Sequence, residues 1–193
     1  MRRGIAGLML TAALTAACQR SEPEPVVQST APASADAARA GGLPAPDPAM
    51  ARKAGYDESR DPAKDLAALI PVARASHKRI LLEVGGEWCV WCHYLHDFLE
   101  RETAIAALWD ARFLTLKVNY SEANTNAAFL SQFPKVPGYP HLFVLDEDGT
   151  FLHSQGTEAL ESGRGYSAEA VRHFLDEWGS GSPAGVPQRA PTN

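Results

Sequence analysis

The chain has 193 residues, of which 45% are hydrophobic and 21% charged, the proportions of an ordinary globular protein with room for one or two small domains. Its formal net charge is -5, with 18 Lys and Arg against 23 Asp and Glu. Nucleic acid is therefore not an expected partner, because that needs clustered Lys and Arg and a pI above about 9.

Residues 1–17 read as an export signal. Arg2 and Arg3 form a positive start, and the uncharged run GIAGLMLTAALTAA is shorter than the roughly 20 residues a membrane span needs. Its end, LTAAC, resembles a bacterial lipobox, although Thr15 stands where Leu is usual and Leu14 is displaced by one. That resemblance implies lipidation of Cys18 after cleavage. With Gln19 rather than Asp beside it, it also implies a periplasmic protein anchored at the outer membrane. The alternative is an ordinary signal cut after Ala17, which leaves Cys18 a free thiol. Residues 18–58 read as a disordered linker. The stretch SEPEPVVQSTAPASADAARAGGLPAPDPAM is dominated by Pro, Ala, Ser and Gly, without helical or strand periodicity. It cannot bury enough apolar surface to offset chain entropy. Treated as a flexible chain, ~40 residues span on the order of 35 Å. Residues 181–193 have the same character and are expected to form a flexible tail.

The remaining segment, 59–180, alternates in pattern. Asp61 followed by Pro62 is a helix start, a capping side chain with proline at the first helical position, and Leu66, Leu69, Ile70 and Ala73 continue it. Pro71 is expected to kink that helix or end it early. RILLEV is a short apolar run typical of a buried central strand. CHYLHDFLERETAIAALW reads as one helix with Leu95, Phe98 and Leu99 inward, FLTLKV as a second strand and NTNAAFLSQF as a short helix. PHLFVLD and TFLHSQ, joined by the turn DEDG, read as a hairpin. SAEAVRHFLDEW closes the domain as an amphipathic helix capped by Ser167, with Val171, Phe174, Leu175 and Trp178 on one stripe.

Between the first strand and its helix lies CVWCH, which has three chemical readings. The spacing of Cys89 and Cys92 suits a redox-active pair, but with His93 it also spells the attachment site of a c-type haem. Haem would need a distal ligand. Methionine is absent after Met50, His96 shares a helix with His93, and a buried strand directly before the motif does not suit a small helical cytochrome. Zinc could draw on Cys89, Cys92, His93 and His96, yet adjacent Cys92 and His93 point about 100° apart on a helix and cannot both join the others on one tetrahedral ion. No metal and no cofactor is therefore expected.

The order β, α, β, α, β, β, α around a CxxC resembles the thioredoxin-like family, and the resemblance covers nearly the whole domain. EVGGEWCVWC is similar to that family's strand-to-helix turn, with Trp88 directly before the first cysteine. Glu83 stands where the family carries a buried acid, usually Asp, and Lys117 in LKVN matches a lysine near that acid. VPGYPHLFVLD resembles the loop whose cis-proline, here Pro140, faces the dithiol. Val90 and Trp91 replace the usual Gly-Pro. The resemblance implies an α/β thioredoxin-like fold, a central mixed sheet of about four strands flanked by helices. It further implies that the backbone of Tyr139 offers hydrogen bonds to a bound peptide, as an edge strand does. The form EWCVWCHYL is most similar to exported members of the family.

The chemistry follows from the residues themselves. A CxxC in the first turn of a helix brings its sulfurs within disulfide reach and sets the first where unpaired N–H groups and the helix dipole stabilise a thiolate. Cys89 is the expected nucleophile and Cys92, a turn deeper and less exposed, the resolving thiol. A carboxylate in an apolar strand favours its protonated form through desolvation, so Glu83 is a candidate acceptor for the Cys92 proton; the alternative is a surface carboxylate at a strand end. Trp88 and Trp91 flank the sulfurs as a contact surface or as ordinary packing. His93 is either solvated or a stabiliser of the Cys89 thiolate, and His141 could reach the site. The expected activity is thiol–disulfide exchange on exported proteins that contain cysteine, as reductase, isomerase or oxidase, with a separate thiol–disulfide donor or acceptor of electrons. The competing expectation is a binding module that holds a client or metal, its dithiol idle.

Overall fold

The computed structural model describes residues 48–180. Cys18, the signal segment, most of the linker and the tail from 181 lie outside the described residues. Among the described residues no helix is long and apolar enough to cross a membrane.

Four strands form the central sheet: β1 (Arg79–Gly85), β2 (Phe113–Asn119), β3 (His141–Leu145) and β4 (Phe151–Gly156). Their spatial order is β2-β1-β3-β4, with β1 parallel to β2 and antiparallel to β3, and β3 antiparallel to β4. This is the mixed sheet that the resemblance implies. β1 is central, and six of its seven residues are buried because both faces are covered. Ile80, Leu82 and Val84 point to one face, where they meet Leu69 and Ala73 of α2 (Pro62–Ser76) and Phe129 of the short α5 (Ala127–Leu130). Leu81 points to the other face, against α3 (Val90–Arg101), α4 (Thr103–Arg112) and α6 (Ala168–Trp178). The side-chain period of two then puts Glu83 on the face of Leu81, beneath the start of α3.

Three expectations are corrected. α2 runs through Pro71 to Ser76, where His77 closes it in the left-handed region at φ 52°. Pro71 lies on the exposed side, and burial of Leu69 and Ala73 to either side of it holds the helix to the sheet. The helix expected after the cysteines is two helices, broken at Glu102 (φ -90°, ψ 66°). The break lets Leu95, Phe98 and Leu99 on one arm and Ile105, Ala106 and Trp109 on the other enter the same core. The linker does not extend to residue 58. Pro48–Lys53 form α1, and from that segment Arg52 is buried in ion pairs with Asp110 (2.9 Å) and Glu100 (3.7 Å). A two-stranded ribbon, β5 (Glu161–Ser162) with β6 (Gly165–Tyr166), precedes α6, whose Ser167 cap accepts from the Ala170 N–H as expected.

Candidate active site

Cys89 and Cys92 form a disulfide at the head of α3, their Cα atoms 5.2 Å apart. Cys89 is the N-cap in extended backbone conformation, and its Sγ accepts from the Cys92 N–H at 3.1 Å. The first sulfur therefore occupies the place where a helix leaves its N–H groups unpaired, which stabilises negative charge there once the disulfide opens. The expected contrast in exposure is absent, since Cys89 is 3% and Cys92 2% exposed. Trp91, Tyr56 and Tyr139 pack round the pair and cover both sulfurs.

Glu83 is 2% exposed, which excludes the surface-carboxylate alternative. Lys117 lies opposite it in the register of β1 and β2, with Nζ 3.3 Å from Oε1. A second group that sequence reasoning missed reaches the same oxygen. The Tyr56 hydroxyl donates to Glu83 Oε1 at 2.7 Å, and Lys117 Nζ stands 4.7 Å from the centre of the Tyr56 ring. The buried charge is thus both paired and hydrogen-bonded, the condition under which burial of an ion is tolerated. Burial first, then the charge of Glu83 and its hydrogen bond, hold the Tyr56 hydroxyl pKa well above its usual value, with smaller effects from Tyr166 and Glu87. Only a lone aromatic in the polar stretch GYDESRD hinted at this residue.

Gly85 ends β1 where the three groups converge. A Cβ there would stand 2.5 Å from Cys92 Sγ and 2.7 Å from the Tyr56 hydroxyl, so the strand, the Cys92 sulfur and the tyrosine meet without room for a methyl group. Beyond them a cavity of about 160 Å³ is lined by Lys53, Tyr56, Glu87, Cys92, His93 and Lys117, among others. His93 is tied by Nε2 to the Glu87 carbonyl oxygen at 2.7 Å, beside that cavity rather than on the Cys89 sulfur. Among the described residues no cluster of three or more His, Cys, Asp or Glu is placed to hold a metal.

The outer wall is aromatic. Trp88 is 54% exposed, donates from Nε1 to the Tyr120 carbonyl oxygen at 2.7 Å, and meets Tyr139 edge-on at 5.5 Å. Tyr139 stacks on Tyr120 at 4.8 Å, and partial burial together with a hydrogen bond to Tyr120 pushes its hydroxyl pKa up to about 12. Trp91 turns inward, edge-on to Tyr94 and Tyr166, so the two tryptophans divide between surface and packing. The Tyr139–Pro140 bond is cis; Pro140 is buried, and its carbonyl oxygen accepts from Thr157 Oγ1 at 2.9 Å. His141 belongs to the core of β3 instead of the site. Its Nε2 meets Ser154 Oγ at 2.8 Å, its ring edge packs on Phe143, and burial lowers its pKa.

Cys89, Cys92, Glu83, Trp88, Trp91, Tyr139 and Pro140 therefore lie together at this one end of the sheet, whereas His141 packs into the core. Residues 61–147 match the family model described as thioredoxin-like. A segment of 92 residues is 32% identical to the thiol:disulfide interchange protein DsbD of Pseudomonas fluorescens, covering 47% of this chain but only 15% of that protein. The crystal structure of a disulphide isomerase from Xylella fastidiosa superposes over 63% of this chain and 94% of that one, with 23% identity and a TM-score of 0.55. Sequence match and strand order agree: the domain has the thioredoxin-like fold, and residues 61–147 are similar to the thioredoxin-like family.

Proposed function

We propose that the domain is a thiol–disulfide oxidoreductase of the periplasm, acting as reductase or isomerase on disulfides of exported proteins. The observation that carries this reading is the Cys89–Cys92 disulfide at the head of α3, with Cys89 Sγ facing the Cys92 N–H. In the reduced protein the Cys89 thiolate attacks a substrate disulfide, forms a mixed disulfide and releases one substrate thiol. Cys92 then attacks Cys89 Sγ, releases the second substrate thiol and closes the internal disulfide; two electrons pass from the dithiol to the substrate. Glu83 takes the Cys92 proton. Trp88 and Tyr139 form the apolar ledge on which a peptide rests, with the backbone before Pro140 as its hydrogen-bonding edge. The kinship with a protein named for thiol:disulfide interchange supports the same chemistry.

Equilibrating the full-length chain with dithiothreitol or glutathione buffers and counting free thiols tests this reading. A two-electron transition near about -270 mV is expected, as for a reductant; one near about -120 mV would mark an oxidant instead. Absence of any two-electron transition would remove the dithiol chemistry altogether.

We further propose that Cys18 carries the lipid that tethers the domain to the outer membrane. Mass spectrometry of the N-terminal peptide from the exported protein should find diacylglycerol on Cys18. A free thiol at a mature N-terminus would overturn the anchor.

A further inference from the structure

One buried polar group at the site has no part in that chemistry. Tyr56 precedes the matched residues 61–147, yet it packs against Cys89 and Cys92 and bonds the carboxylate opposite them. Its hydroxyl and Cys92 Sγ crowd the same point beside Gly85 (2.7 and 2.5 Å from where a Cβ would be), while Glu83 Oε1 lies 2.7 Å beyond the hydroxyl. A hydroxyl donates and accepts at once, which a carboxylate does not. We propose that Tyr56 is a catalytic residue that relays the proton from Cys92 to Glu83 during the resolving step. The proposal rests on the dithiol reading above.

The step balances. As Cys92 attacks Cys89 Sγ, its proton moves to the Tyr56 oxygen and the Tyr56 proton moves to Glu83 Oε1. The bond between Cys89 and the substrate breaks, the substrate sulfur leaves as a thiolate with its electron pair, and the Cys89–Cys92 bond forms. Tyr56 ends neutral, and its high pKa suits a group that passes a proton without keeping the charge. The cavity of about 160 Å³ beside it is lined by Tyr56 and Lys117, the two partners of Glu83, and has room for a few water molecules, each taking about 30 Å³, by which the proton can later leave through those partners. Facing the hydroxyl are Glu83 from β1, Lys117 from β2 and Glu87 from the loop before Cys89. Lys53 from α1 and His93 and His96 from α3 face it across the cavity, and Tyr166 of β6 acts on it at longer range.

Tyr56→Phe keeps the ring and removes only the hydroxyl. The reduced full-length chain is mixed with one equivalent of dithionitrobenzoate across a range of pH. One thionitrobenzoate leaves when Cys89 attacks and a second when Cys92 resolves the adduct. In the Phe variant the second release should slow by about tenfold near neutral pH and approach the wild-type rate as the thiol ionises unaided at high pH, while the first release changes little. A wild-type pH profile for the second release would overturn the relay. So would equal slowing of both releases, the mark of disturbed packing. Glu83→Gln, which retains the side-chain volume, gives a second line: Tyr56→Phe added to it should slow the second release no further, because the two act as one unit. Effects that multiply would overturn the proposal. If the wild-type chain itself releases only one thionitrobenzoate, the dithiol reading fails and the relay falls with it.

Discussion

A Cys89→Ser variant should show no insulin-disulfide reduction above the uncatalysed background, while Cys92→Ser should accumulate a covalent adduct with its substrate. The pairing of these outcomes distinguishes the roles of the two thiols. Exposure does not choose between them, because both sulfurs are almost equally covered. What separates them is position along α3. Cys89 Sγ lies outside the first turn and accepts a backbone N–H, whereas Cys92 is inside the helix, against Gly85 and Tyr56. A thiolate at the first place gains the field of the helix end, and one at the second is buried beside a carboxylate. Serine at 89 removes the only sulfur that the helix start activates. Serine at 92 leaves attack intact and removes the group that completes it. Adducts trapped by the Cys89→Ser variant instead would reverse the assignment, and undiminished insulin reduction in that variant would leave the dithiol idle.

Gly85→Ala should cost stability and activity together. The added methyl would lie 2.5 Å from Cys92 Sγ and 2.7 Å from the Tyr56 hydroxyl, far inside van der Waals contact. Neither neighbour can swing away at little cost. Cys92 is held within α3, and Tyr56 is fixed by its bond to Glu83 and by Lys117 over its ring. The strand cannot shift either, since the Gly85 carbonyl oxygen accepts from the Tyr120 N–H at 2.6 Å and Gly85 pairs with Asn119 across the sheet. Overpacking of this kind costs roughly 1–3 kcal/mol. For a domain of this size that is a fall in Tm on the order of 3–10 °C. Insulin reduction should drop as well, because the displaced groups are the resolving thiol and its neighbour. A variant that melts with the wild type and reduces insulin at the wild-type rate would show that the site yields where the geometry says it is tight.

The sheet was legible because its signals are local. Apolar runs bounded by turns marked β1, β2 and β3, and the Ser167 cap with the stripe Val171, Phe174 and Leu175 marked α6. The cysteine spacing and the strand before it carried the chemistry. The burial of Glu83 was legible through the family resemblance and not from the strand's own pattern, for a physical reason. β1 is covered on both faces, so its pattern does not alternate, and only the sheet register with Lys117 shows where the carboxylate sits. The break at Glu102 was hidden too, since Glu102 is neither Gly nor Pro and the bend serves the shared core around Trp109. Tyr56 was the largest omission. Its partner Glu83 is 27 residues away, and no local rule joins a tyrosine in a polar stretch to a strand across the molecule.

Residues 48–60 also determine where the working unit begins. A chain started at Asp61, where the family match starts, would retain every strand and both cysteines. It would lack Tyr56 and the Arg52–Asp110 pair, and would open Glu83 and Lys117 to water. Redox constants measured on such a fragment would belong to a different dithiol, one whose buried carboxylate has lost its roof. The smallest faithful unit for solution work starts at or before Pro48, so the segment ahead of the family match is part of the enzyme.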